Sequence, residues 1–189
     1  MEFANVSEYN SIESQVDVRD PMGVRDLGLL QLAWSTGLRV SELASLNHFD
    51  VMDAGQVRQV LYVRPATAKY QRGRQIPLNA LAQEAIRKVV DFNRRRGFST
   101  APQAPLFSSK KHQRITVRAI QRLVEDLRKK ANLAKPITPH SIRHAFACRV
   151  LKQSNLIAVK ELLGHERLET CNIYLHLDVD ELKDAVDRI

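Results

Sequence analysis

The chain has 189 residues, with 29 lysines and arginines against 21 acids for a net charge of +8. That length suits one ordinary domain with a real core; no apolar run approaches the roughly 18 residues of a membrane span, and no signal-peptide pattern opens the chain. Two cysteines, Cys148 and Cys171, fall in predicted helices without metal or redox spacing and point to a reduced, cytoplasmic setting.

In chain order, residues 1–20 read as an acidic tail or linker remnant. Asp20-Pro21 supplies a cap and first turn, and "DPMGVRDLGLLQLAWSTG" runs apolar to Gly37, which predicts a helix. Ser41 opens a second helix with Glu42 and Leu43 in its first turn. "QVLYVRP" and "GRQIPL" read as two strands around the polar turn "KYQRG". Asn79 caps "ALAQEAIRKVVDFNRRR", where Leu81, Ala85 and Val89 share a face and Gly97 ends the helix. A loop rich in Pro, Ser and Gln covers 98–113, after which Thr116 caps a helix faced by Val117, Ile120, Val124 and Leu127. Short helices are predicted near 140–152, 156–163 and 167–176, and a last one over 179–189, where Val179, Leu182, Val186 and Ile189 form one stripe. The sum is mainly α with a small antiparallel β-sheet, an α+β domain without internal repeats.

The charge is uneven. Residues 1–20 and 169–189 each net −4, so the body between them carries +16. A basic body with acidic ends favours a polyanionic partner, of which nucleic acid is the commonest; the plainer alternative is a soluble basic protein.

Several polar residues stand out from this background. Arg39 lies in the tight turn "STGLRVSEL", where an ordinary solvated cation is the competing reading. "ITPHSIRHAFACRV" crowds His140, Arg143 and His144 into a helix N-terminus, an unfavourable place for cations unless an anion meets them. His140, His144 and Cys148 recur every four residues, as metal ligands can. No carboxylate sits at a useful offset, however, and Cys148 has apolar neighbours, so a buried cysteine is preferred and no metal is assigned. His165 follows Gly164 where a helix ends, and Tyr174, nine residues on, is by itself most simply a core aromatic.

As an ordered set, Arg39, Lys69, His140-x-x-Arg143, His165 and Tyr174 closely resemble the tyrosine recombinase (phage integrase) family. "TGLRVSEL", "HSIRHAFA" and "LLGHERLETCNIYLHL" look like its signature boxes, especially those of Xer-type enzymes. The resemblance runs from about residue 21 to 178 and implies the family's DNA breaking-rejoining fold. Lys69 matches the family's β-hairpin lysine, although Ala68 and Tyr70 replace the usual flanking glycines; Arg72 or Arg74 could partly stand in for it.

The resemblance implies site-specific DNA recombination through a 3′-phosphotyrosyl intermediate and a Holliday junction, and the chemistry of the side chains agrees. Tyr174 is the nucleophile, its phenol needing a base or a neighbouring positive charge. Arg39 and Arg143 can fork onto the non-bridging oxygens of the scissile phosphate. His165 is a further donor, His140 the best candidate to take the phenol proton, and Lys69 the general acid at the departing 5′-oxygen. Glu42 is either a helix N-terminal acid or the residue that orients Arg39 or a histidine. Arg72, Arg74, Lys110, Lys111 and Arg114 are expected to contact DNA phosphates.

No Gly-rich phosphate loop and no acidic pair for two metals appear, so no cofactor is expected. The alternatives are a type IB topoisomerase and a non-catalytic DNA-binding regulator on the same scaffold. Family members usually carry an N-terminal core-binding domain, here expected to be absent, leaving 21–178 as the catalytic domain. The 179–189 helix is either packed on its own domain or, as the family suggests, exchanged between subunits. In the second case the partners are double-stranded recombination sites and a homotetramer on two of them, with a monomer in the absence of DNA and no membrane.

Overall fold

A computed structural model of the chain describes residues 4–65 and 73–164. In order these form α1 (Val6–Glu13), α2 (Gly23–Thr36), α3 (Val40–Ser45), α4 (His48–Val51), β1 (Met52–Asp53), β2 (Gln56–Val57), β3 (Val60–Val63), β4 (Arg74–Pro77), α5 (Ala80–Arg95), α6 (Val117–Lys130), α7 (Pro139–Gln153) and α8 (Leu156–Leu163). The predicted class holds: helices with small antiparallel sheets. Lys69, Arg72, His165, Tyr174 and the 179–189 stripe lie outside the described residues.

Local chemistry starts the helices. The side chains of Asn79, Thr116, Thr138 and Asn155 each accept the backbone N–H three residues on, opening α5, α6, α7 and α8. Each such cap contributes about 1 kcal/mol. Thr138 is followed by Pro139 in the first turn of α7, where a missing N–H costs nothing.

The core is organised around α2. Its Leu29, Leu30, Leu32 and Ala33 are buried, and it packs along α5 and then α7. A Cβ on Gly28 would fall 2.3 Å from Val89 Cγ2, so the α2–α5 approach requires a glycine there. On α5 the buried face is Ala82, Ala85, Ile86 and Val89, whereas Leu81 is exposed, one step outside the stripe predicted for it. On α6 the face is Ile120, Val124 and Leu127, as expected from the spacing.

Residues 4–20 are more than the tail their charge suggested. Asn5 and Glu8 form a reciprocal capping box, Ile12 is fully buried, and the Tyr9 ring stacks on Trp34 at 4.0 Å and 8°. Two of the acids that gave the tail its charge are tied into the domain: Glu8 pairs with Lys135 at 3.2 Å, and Glu13 accepts from Tyr9 Oη and Gln31 Nε2. A second unforeseen element is the β1–β2 hairpin, turned through Ala54 and Gly55 at positive φ.

The predicted hairpin is present as β3–β4, with Leu61 opposite Ile76 and Val63 opposite Arg74. Because side chains alternate along β4, Arg74 shares the inward face with buried Ile76, while Gln75 and Pro77 face out.

Candidate active site

Gly37 ends α2 in the left-handed region at φ +59, and a Cβ there would lie 2.3 Å from Phe146 Cδ1. Only glycine fits both the dihedral and the space. This bend makes Arg39, rather than Ser41, the N-cap of α3, and it turns the Gly37 carbonyl toward α7 to accept from Arg143 Nη1 at 2.6 Å. Glu42, in the first turn of α3, reaches back to the Arg39 backbone N–H at 2.7 Å; the arginine side chain, having no acceptor, cannot return the bond.

Glu42 is thereby placed, almost fully buried, among three guanidinium groups. Arg74 grips it with two parallel bonds, Nη1 to Oε1 at 2.8 Å and Nη2 to Oε2 at 2.7 Å. Arg39 Nη1 donates to Oε1 at 3.1 Å, and Arg143 Nη1 lies 4.0 Å from Oε2. Burial alone would raise the Glu42 pKa, but the hydrogen bonds and charge of Arg74, with the N–H and charge of Arg39, outweigh it and hold the carboxyl below its usual range.

The same three arginines close the end of α8. Leu162 O accepts from Arg74 Nε at 2.7 Å, Leu163 O from Arg143 Nη2 at 2.7 Å, and Gly164 O lies 3.4 Å from Arg39 Nη2. Successive carbonyls at a helix C-terminus lack intrahelical partners and carry the negative end of the dipole, so cations are the fitting caps. Among the described residues, three cations around one carboxylate leave a surplus of positive charge. Arg39 is the outlet for it, with 19% of its side chain exposed against 6% for Arg74 and 5% for Arg143. An anion of phosphate size is what such a surplus attracts.

His140 stands exposed beside this cluster in the first turn of α7. Partial burial and the nearby charges of Arg143 and Arg39 lower its pKa, which keeps the imidazole neutral and able to take a proton at neutral pH. Its Nε2 lies 2.7 Å from Nε2 of His144, one turn further along, with the rings edge to face at 88°. His144 is buried, and desolvation, then His140 and Arg143, pushes it down to about 4. Cys148, the next residue in that row, is half-buried with its thiol pushed up by burial.

Of the residues singled out by sequence, Arg39, Glu42, His140 and Arg143 are therefore brought together. Arg74 is not on the surface where a DNA contact was expected; it is a strut joining β4, α3 and the end of α8. The alternation in "RQIPL", which puts Arg74 on the face of Ile76, was the available signal. Arg114, exposed like Lys110 and Lys111, differs from them in directing its guanidinium to Ala44 O, Leu46 O and Asn47 Oδ1 and so braces the α3–α4 turn. The partnership of His144 with His140 was missed, although the four-residue spacing was visible.

Comparison with known proteins agrees with this arrangement. The Tyrosine recombinase XerC of Vibrio campbellii is 37% identical over 187 residues, covering 97% of this chain and 56% of that protein. That of Chromohalobacter salexigens is 38% identical over 170 residues, 89% of this chain and 53% of that protein. The chain thus spans a little over half the length of these relatives. Among solved structures, XerA recombinase superposes with a TM-score of 0.80 at 25% identity, over 100% of this chain and 63% of that one. The profile of the Phage integrase family matches residues 2–181, nearly the whole sequence, and the chain belongs to that family.

Proposed function

We propose that this chain is the catalytic domain of a site-specific tyrosine recombinase. The observation that carries this reading is the buried Glu42 ringed by Arg39, Arg74 and Arg143, with neutral His140 beside it, at the helix end that leads directly into His165.

In this scheme Arg39 and Arg143 bind the non-bridging oxygens of a scissile phosphate and stabilise the charge that accumulates on them during displacement. Glu42, itself held by Arg74, fixes the direction of Arg39. The Tyr174 phenol loses its proton to His140, its oxygen bonds to phosphorus, and the 5′-oxygen leaves with a proton from Lys69. His165 donates a further hydrogen bond to the phosphate. One phosphate ester replaces another, so a 5′-hydroxyl from a second strand can reverse the step without ATP, and strands exchange through a Holliday junction. The scheme uses no metal and no cofactor.

Double-stranded recombination sites are the substrate, read by a monomer that assembles as a homotetramer on two of them in the cytoplasm. Lys110, Lys111 and Arg72 supply phosphate contacts, while Arg114 braces the turn after α3. The names of the XerC relatives and of the XerA structure support DNA recombination over simple relaxation by a topoisomerase or silent DNA binding.

The test is a nicked suicide duplex incubated with the wild-type chain and with Tyr174→Phe, then run on a denaturing gel. Wild type gives a covalent protein–DNA band that the Phe variant lacks, while both bind DNA equally. A band that persists in the variant, or none in wild type, overturns the assignment. Exchange of strands between two marked duplexes, rather than relaxation alone, separates a recombinase from a topoisomerase.

A further inference from the structure

The recombination scheme makes His140 a base but leaves a second histidine unexplained. His144 sits one helical turn beyond it on α7, buried where His140 is exposed, and the two Nε2 atoms are 2.7 Å apart. At that distance one nitrogen carries a proton and the other offers a lone pair, since two lone pairs or two N–H groups would repel. The edge-to-face packing at 88° holds both rings in place.

Two arrangements satisfy the bond, and they have opposite consequences. If His144 donates, the Nε2 lone pair of His140 is consumed and its Nδ1 carries the hydrogen, so neutral His140 can only donate. If His140 donates, its Nδ1 keeps a lone pair and the ring is a base.

We propose that His144 is a positioning residue for His140, its ring accepting the His140 Nε2–H and holding His140 in the tautomer whose Nδ1 takes up a proton. When Nδ1 is protonated, His140 becomes an imidazolium and the same bond becomes charge-assisted, which steadies the cation at the moment it forms. The arrangement parallels the orienting group of a hydrolytic triad, with a neutral ring in place of a carboxylate. A neutral partner suits this site. Among the described residues, the charged groups that face the pair include Arg39 and Arg143, with Glu125 of α6 across a cavity of about 370 Å³ that Val40, Thr138 and His140 also line; the charge of the chain's N-terminus also bears on His144. His144 resists a second positive charge there because it is desolvated and already beside His140 and Arg143.

The proposal rests on the recombinase reading for its catalytic meaning, but its central test does not. Nitrogen-15 imidazole NMR of the whole chain reports tautomers and titrations of His140 and His144 directly. In the wild type His140 is expected as the Nε2–H tautomer, with His144 remaining neutral until well below the His140 midpoint. In His144→Leu, which removes the acceptor, the His140 midpoint falls by about one pH unit, the scale of one hydrogen bond to a charged group. In His144→Gln, whose amide oxygen can accept, most of the shift is recovered.

An Nδ1–H tautomer for wild-type His140, or an unmoved midpoint in the Leu variant, overturns the proposal whatever the DNA assays give. Cleavage supplies the second arm. The acid limb of the single-turnover pH profile moves to lower pH in His144→Leu, and the plateau drops by about tenfold, a modest part of what a general base contributes. Gln restores both, and DNA affinity stays level. A fall in rate with an unmoved acid limb would mean a purely structural His144 and would also refute the proposal. Failure of wild type to form any Tyr174 adduct would sink the recombinase reading alone, leaving the tautomer measurement to stand.

Discussion

Replacing Glu42 with glutamine is the most revealing single change, because it keeps the shape of the side chain and removes only its charge. The carboxylate accepts two bonds from Arg74, one from the Arg39 side chain and one from the Arg39 backbone. Glutamine offers one acceptor oxygen, and its NH₂ points two donors at groups that are themselves donors. Arg74, 6% exposed, would be left a buried cation without the carboxylate it grips, and Arg143, 5% exposed, would lose a nearby negative charge. Breaking one side of a buried pair costs about 3–5 kcal/mol, against a total stability of about 5–15 kcal/mol for a domain.

Urea unfolding at pH 7 should therefore show a midpoint greatly lowered with little change in slope. The sign of the pH dependence follows from the direction of the Glu42 shift. Its folded pKa is depressed, so its stabilisation is present above the unfolded carboxylate value of about 4.3 and is lost as pH falls through the folded pKa. The gap between wild type and Glu42→Gln should shrink accordingly below about pH 4. A loss under about 1 kcal/mol at pH 7, or a gap that persists unchanged into acid, would refute the view of Glu42 as the charge that holds this cluster together.

Arg143→Lys should impair single-turnover cleavage nearly as much as Arg143→Ala, by about 2.7–4 kcal/mol in barrier, because one ammonium cannot reach both Gly37 O and Leu163 O and still meet a phosphate; a Lys variant within a few-fold of wild type contradicts the fork. Gly37→Ala should lower stability by about 2 kcal/mol or more, from the positive φ together with the clash on Phe146, read as a fall in the urea midpoint. DNA affinity should drop steeply with salt: if exposed Lys110, Lys111, Arg94, Arg95 and Arg96 make about five phosphate contacts, log K against log salt has a slope of about −4.5. Truncation after Asp178 should leave a folded, DNA-binding chain that forms no complex of four subunits on two duplexes, checked by sedimentation.

What the sequence determined by itself was much of the local structure. Asn79 and Thr116 announce helix starts because a capping side chain bonds only three residues away. The α6 stripe is legible because its period belongs to the helix, and "TGLRVSEL" and "HSIRHAFA" carry the candidate residues Arg39, Glu42, His140 and Arg143, which the fold brings together. The Tyr9 and Ile12 face of α1 and the β1–β2 turn were passed over, the first hidden by acidic composition and the second by a turn lacking the usual Asn-Gly or Asp-Gly signal.

The fate of each charge was decided by tertiary structure. Arg74, Arg114 and Lys110 look equivalent in a basic sequence, yet the first grips a carboxylate 32 residues away and a carbonyl 88 away, the second braces the α3–α4 turn, and the third faces water. Composition tells how many cations a chain has. Which of them lose their water is set by contacts distant in sequence, and desolvation is what turns a surface arginine into a fixed part of a site.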